Sequence, residues 1–172
     1  MIFGVGLKLM NNAYLLLGGN IGNREKNFEQ AKNLIRQYCG EIVQSSSLYE
    51  TAAWGKTNQP SFLNQALQLG TELNAPGLME EILKIEEIMG RKRKEKYGPR
   101  IIDIDILLFN DEQYNDPFLK IPHPEMQNRR FALMPLAEIA GNIKHPVLKK
   151  SIFQLLEECK DELPVKKFQA DD

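Results

Sequence analysis

The nine residues Ile101-Ile-Asp-Ile-Asp-Ile-Leu-Leu-Phe109 constrain the fold of this chain more than any other stretch. The run is short, rich in β-branched side chains and preceded by Gly98-Pro99, so it predicts a buried central strand. Side chains on a strand alternate between faces, which turns Asp103 and Asp105 the same way, with Cα atoms about 7 Å apart. Two like charges on one face of an apolar strand are costly unless something positive neutralises them, and the two candidates are Mg2+ and arginine. Hard divalent cations take carboxylate oxygens, and metals bridged by acidic residues hold polyphosphate oxygens. Asp-x-Asp in this setting therefore points to phosphoryl chemistry.

Such a strand needs partners, and the chain supplies them in a readable order. Residues 13–17 form an apolar run stopped by Gly18-Gly19-Asn20, which predicts a buried strand ending in a turn. Asn23 is placed to cap a helix in which Phe28, Ala31, Leu34, Ile35 and Tyr38 recur at helical spacing, with Gly40 at its end. Residues 41–48 and 62–73 read as strands and 49–60 as a long loop between them. Asn74 and Pro76 signal the start of a second helix, whose stripe of Leu78, Ile82, Leu83, Ile85 and Met89 ends at Gly90. The order β-α-β-β-α-β predicts an α+β fold, a ferredoxin-like sandwich with a mainly antiparallel sheet covered by helices. Beyond it the expectation is loop from 110 to about 130, then helices at 131–139 and 152–159 that cover more of the sheet. One domain, residues 13–160, is expected between a loose extension at 1–12 and a tail at 161–172 that is loose from Pro164 onward.

Charge and cysteine usage narrow the function classes. Lys plus Arg number 22 against 23 Asp plus Glu, a net charge of -1, so nothing draws the whole chain to nucleic acid. Cys39 and Cys159 make no C-x-x-C pair and no disulfide framework, which fits a reducing compartment. The first ten residues lack the parts of a signal peptide, and no apolar run is long enough to span a membrane. The expectation is a cytoplasmic protein, monomeric, with small-molecule substrates and no nucleic-acid or membrane partner.

Three further segments carry candidate chemistry. Arg91-Lys-Arg-Lys-Glu-Lys-Tyr-Gly-Pro-Arg100 holds six basic residues and one acidic, directly before the two aspartates. Its arginines suit bidentate contacts to phosphates, and the segment suits a lid. His123, in the proline-rigid run Ile121-Pro-His-Pro-Glu-Met-Gln-Asn-Arg-Arg-Phe131, is a candidate to hydrogen-bond or protonate a phosphate oxygen, or else to fix its own loop. Thr51, Trp54, Phe62 and Asn64 combine aromatics with an amide, a combination that serves either to sandwich a flat heterocycle or to pack beneath a loop. Gly18-Gly19-Asn20 lacks Walker A and Rossmann spacing and reads as a tight turn.

The run Gly90-Arg-x-Arg-x-x-x-Tyr-Gly-Pro-Arg-x-x-Asp-x-Asp-Ile-Leu107 closely resembles the signature of the 6-hydroxymethyl-7,8-dihydropterin pyrophosphokinases of folate biosynthesis. Residues 13–20, Tyr49-Glu-Thr51, Gln59-Pro-x-Phe-Leu-Asn64 and Pro122-His-Pro-x-Met-x-x-Arg-x-Phe131 resemble other segments of that family, in the same order, so the likeness covers about residues 13–159. The resemblance implies transfer of an intact pyrophosphoryl group from ATP, the co-substrate, to the pterin's hydroxymethyl oxygen. It implies that Asp103 and Asp105 hold two Mg2+ ions and that Arg91, Arg93 and Arg100 clamp phosphates, the first two from a mobile loop. Glu86, Ile106, Lys120 and His123 would lie on the ATP side. Phe62 and Phe131 would sandwich the pterin, with Asn64 at its edge, and Thr51, Trp54, Tyr97, Asp103 and Arg129 nearby. No residue stands out as a strong general base.

Two other classes share parts of the pattern. A metal-dependent nucleotidyltransferase also sets paired aspartates on a ferredoxin-like sheet, but would release pyrophosphate. An RNA-binding module on the same fold would use residues 91–100 as its basic patch, yet needs exposed sheet aromatics, and no such run occurs here.

Overall fold

A computed structural model describes residues 10–53, 58–91 and 98–170. Its first strand, β1 (Asn11–Gly19), is buried from Ala13 onward, as an unbroken apolar run requires of a strand covered on both faces. Ala13, Leu15 and Leu17 enter one core cluster, and Tyr14 and Leu16 enter another on the opposite face. Helix α1 (Arg24–Tyr38) begins where the Asn23 side chain accepts from Lys26 N, and buries Phe28, Ala31 and Ile35. Gly40 follows with φ +154°, and a β-carbon there would lie 2.2 Å from Gly70 O, so the chain can pass only as glycine. It then enters β2 (Glu41–Ser45), which pairs antiparallel with β4 (Phe62–Thr71). Helix α2 (Ala75–Ile88) starts at Asn74, whose side chain accepts from Gly77 N, and leads to β5 (Asp103–Phe109).

These elements form the expected ferredoxin-like core. The sheet runs β5-β1-β4-β2, antiparallel throughout, with α1 and α2 on one face. There Phe28, Ile35, Leu78, Ile82 and Ile85 pack on Leu15, Leu17, Leu63, Leu67, Ile104 and Ile106. On the other face lie α3 (Arg130–Ala140) and α4 (Ile152–Glu158), whose Ala132, Leu133, Leu136, Ile152 and Leu155 join Tyr14, Leu16, Ala66 and Leu108. Burial of each large apolar side chain contributes about 1.5–3 kcal/mol, so the two clusters dominate the stability of the sandwich.

Several expectations change. The second strand stops at Ser45, because Ser46 Oγ takes the Ala66 N–H and the Ser46 carbonyl takes Gln65 Nε2. Pairing resumes as β3 (Tyr49–Thr51), against the first residues of β4, inside the stretch expected to be loop. The aspartate strand β5 is not central: it ends the sheet, paired only with β1 among the described residues. Beyond it β6 (Tyr114–Asn115) and β7 (Lys120–Ile121) form a small hairpin, and His123 N donates to Leu107 O. A 3-10 turn, Met126–Asn128, precedes α3. The tail is not wholly loose, since β8 (Val165–Lys167) adds to β3 as an edge strand. Asn11 and Asn12, assigned to the extension, belong to β1, where Asn12 exchanges hydrogen bonds with Asn110.

Candidate active site

The last residues of β1 and the first of β4 and β5 meet at one end of the sheet. Gly18 lies opposite Asp103 on one side and Asn64 on the other, and Leu16 lies opposite Asp105 and Ala66. Leu16 faces α3 while Ile104 and Ile106 face α2, so both aspartates and Asn64 share the α3 face. Between them lies Gly18, itself buried, where an added β-carbon would stand 3.1 Å from Asn64 Oδ1. Thr51 is buried, and its Oγ1 accepts from Asn64 Nδ2 at 3.4 Å, which turns the amide oxygen toward Gly18.

Charge is concentrated at the β5 edge. Glu86, in the last turn of α2, is buried, and its Oε2 accepts from Ile104 N at 3.0 Å. An edge strand leaves such an N–H without a ladder partner, and Glu86 supplies one. Arg91 Nη1 reaches Glu86 Oε2 at 2.5 Å and Asp103 Oδ1 at 2.8 Å, and Arg100 Nη1 reaches Asp103 Oδ2 at 2.9 Å. Arginine is thus the neutraliser of Asp103. Asp105 is different: burial, then Asp103 and Glu86, push its carboxyl up to about 8, against a smaller opposing pull from Arg129 and Arg91. Burial and Asp103 likewise push Glu86 up to about 7, with Arg91 and the Ile104 N–H opposing.

His123 stands across this cluster. Burial and then Arg129 bring its imidazole down to about 4, so it is neutral near pH 7. Of the roles the sequence offers, a neutral ring favours hydrogen bonding over proton donation. Its Nδ1 accepts from Glu125 N at 3.1 Å, which places the ring proton on Nε2 as a hydrogen-bond donor. Each of two aromatic rings lies beside an arginine: Arg100 is 6.0 Å from the Phe62 ring centroid and Arg129 is 5.8 Å from that of Phe131.

Residues 14–141 match the family model described as 7,8-dihydro-6-hydroxymethylpterin-pyrophosphokinase. The chain belongs to this pyrophosphokinase family. Aquifex aeolicus 2-amino-4-hydroxy-6-hydroxymethyldihydropteridine pyrophosphokinase is 42% identical over 159 residues, covering 92% of this chain and 96% of the relative. The Bacillus subtilis protein of the same name is 44% identical over 137 residues, covering 78% and 82%. Among solved structures, a Plasmodium falciparum HPPK-DHPS triple mutant with SDX-DHP shares the fold, with TM-score 0.71 and 22% identity over 90% of this chain. This chain spans only 45% of that longer protein.

Against the pyrophosphokinase signature, the structure gathers Glu86, Arg91, Arg100 and Asp103 into one ion network, with Asp105 on the same face. It brings Asn64 to Thr51, Phe62 to Arg100 and Phe131 to Arg129. Lys120 is exposed on β7, and the Ile106 side chain is in the α2-side core, which leaves only its backbone for a ligand. Trp54, Arg93 and Tyr97 lie outside the described residues. Gly18 between Asp103 and Asn64, and Glu86 as cap of the β5 edge, were not foreseen. The signal for Glu86 was its place four residues after Ile82, which sets it, unlike its neighbour Glu87, on the apolar helical stripe.

Proposed function

We propose that this protein transfers a pyrophosphoryl group from ATP to the hydroxymethyl oxygen of 6-hydroxymethyl-7,8-dihydropterin, releasing AMP, as a step of folate biosynthesis. The observation that carries the reading is the joining, across Gly18, of a flat-ligand face and a phosphate face. Asn64, Thr51 and Phe62 form the first, and Arg91, Arg100, Asp103 and Asp105 form the second.

In the reaction the hydroxymethyl oxygen bonds to the β-phosphorus while the bond from that phosphorus to the α-phosphate oxygen breaks. The hydroxyl proton leaves, and no covalent protein intermediate is needed. Positioning and charge neutralisation then carry the catalysis. Asn64 Oδ1 offers an acceptor for the ring's N–H groups, and Phe62 and Phe131 offer faces for stacking. Arg91 and Arg100 present guanidinium forks to the triphosphate, Arg91 held from behind by Glu86. His123 Nε2 donates to a phosphate oxygen without changing its protonation state.

Asp103 and Asp105 fit Mg2+, and we assign them two ions. The donor set is hard oxygen, and a divalent cation would offset the burial and the neighbouring Asp103 and Glu86 that raise Asp105. Among the described residues no group of three or more such side chains encloses a metal by itself, so phosphate and water oxygens would complete the shell, as is usual for Mg2+. Bound there, the metal supplies neutralisation of polyphosphate charge.

The test is product analysis with MgATP, the pterin and purified protein, following nucleotides by chromatography and phosphorus by NMR. AMP appearing in step with a pterin diphosphate is expected. ADP, or free pyrophosphate, or no pterin-dependent turnover by folded protein overturns the assignment and favours another phosphoryl or nucleotidyl transferase.

A further inference from the structure

Asn20 closes the turn after β1 and is 3% exposed. Its amide nitrogen donates to Gln59 Oε1 and to Pro60 O, both at 2.9 Å. Its Oδ1 accepts from Arg100 N at 3.0 Å, and its own N–H donates to Arg100 O at 3.0 Å. A turn residue read as local punctuation therefore spends its polar groups on two segments remote in sequence. One runs from Gln59 and Pro60 into β4 and carries Phe62 and Asn64. The other carries Arg100 and runs into β5 at Asp103.

The neighbouring geometry needs this tie to be close. A β-carbon on Gly19 would fall 2.4 Å from Ile101 O, so a serine there would require the Ile101 backbone to move away. Above the tie the two segments approach again, through the Arg100 guanidinium and the Phe62 ring.

We infer that Asn20 is a positioning residue that fixes the pterin-bearing segment and the phosphate-clamping segment to one point, and so sets the distance between the attacking oxygen and the phosphorus. The identity of the two ligands rests on the proposed reaction; the tie itself does not. A displacement of about 1 Å between reacting groups is enough to lower a rate on the order of a hundredfold.

Hydrogen–deuterium exchange of the free protein, read by mass spectrometry, tests the tie directly. In Asn20→Ala, exchange is expected to quicken by about tenfold in peptides covering 58–64 and 98–103 together, the effect of one buried hydrogen bond lost. Peptides of 130–140 should be unchanged. Asn20→Asp keeps an acceptor for Arg100 N but turns an oxygen toward the Pro60 carbonyl, so only 58–64 should quicken; this variant decides the matter if the alanine protein does not fold. Quickening confined to one segment in folded Asn20→Ala, or in both segments equally in Asn20→Asp, overturns the inference.

Steady-state kinetics add a second readout. Asn20→Ala should lose kcat on the order of a hundredfold at saturating substrates, whereas a merely structural asparagine would lower the melting temperature and leave kcat of the folded enzyme alone. Wild-type protein without pterin-dependent AMP release would defeat the proposed reaction and leave the exchange test standing.

Discussion

Replacing Asp105 with asparagine should make the free protein more stable, the reverse of what a substitution at a partly buried site usually does. Its carboxyl is held at about 8 in the folded chain against an ordinary 3.8. Because the folded value is raised, the group's contribution is fully present below about pH 3.8 and is lost as pH rises toward 8. At pH 7 the unfolded chain carries the group ionised and the folded chain carries it protonated, a difference that disfavours folding by about 4 kcal/mol. Asparagine has nearly the same shape and no charge to lose. With part of the site relaxing around the amide, the expected gain is about 2–4 kcal/mol at pH 7, or about 5–12 °C in Tm for a domain of this size. At pH 4 the two proteins should melt together. The assay is thermal and urea unfolding with a chelator present, from pH 4 to 8. A variant less stable than wild type at pH 7, or a gap that does not change with pH, would refute the electrostatic account. Mg2+ should raise the Tm of wild type more than that of the variant, and the variant should be inactive.

Other perturbations test other contacts. Glu86→Ala strips the acceptor from Ile104 N and from Arg91 and should cost about 1–3 kcal/mol in urea unfolding at pH 4, below the range in which its own raised carboxyl disfavours folding. Glu86→Gln keeps a carbonyl for Ile104 N and should recover most of that, so equal losses would count against the edge-capping role. Phe62→Ala should raise KM for the pterin about tenfold with KM for ATP within about twofold, and a shift in both would displace Phe62 from the flat-ligand face. His123, lowered to about 4 from 6.5, supports stability fully above about pH 6.5 and loses that support as pH falls toward 4. His123→Gln should therefore flatten the acid limb of the stability profile, by about 3 kcal/mol at pH 4; parallel limbs would refute it.

The parts of the fold legible in the sequence are those whose stability is local or periodic. Asn23 and Asn74 cap the helices they were expected to cap, because the capping bond forms within three residues of the chain. Gly90, at φ +84°, follows the end of α2 as expected of a left-handed terminator. The strands β3 and β8 were invisible for the opposite reason. Each has three residues, and their pairing depends on backbone groups that no side-chain pattern records. The edge position of β5 was missed because an apolar run on both faces reports burial, not hydrogen-bonding neighbours, and here helices and a two-strand hairpin provide the cover. At the site, the motif residues were legible as a set, but their pairing was not. Nothing in Asp-x-Asp distinguishes the aspartate gripped by two arginines from the one left to repel its neighbours.

The short strand β8 makes the end of the described chain a support for the candidate site. It pairs with β3 along Thr51, Glu50 and Tyr49, and Phe168 N donates to Leu48 O just beyond. Arg24 lies 5.3 Å from the Phe168 ring, and its guanidinium also meets Glu50 at 2.7 Å. The strand that orients Asn64 through Thr51 is thus splinted from outside by residues that touch no ligand. A protein cut after Lys160 would keep every signature residue and still leave the strand behind the proposed pterin face with an open edge. Shortened versions that remove Val165–Lys167 are expected to weaken substrate binding without altering any residue of the candidate site.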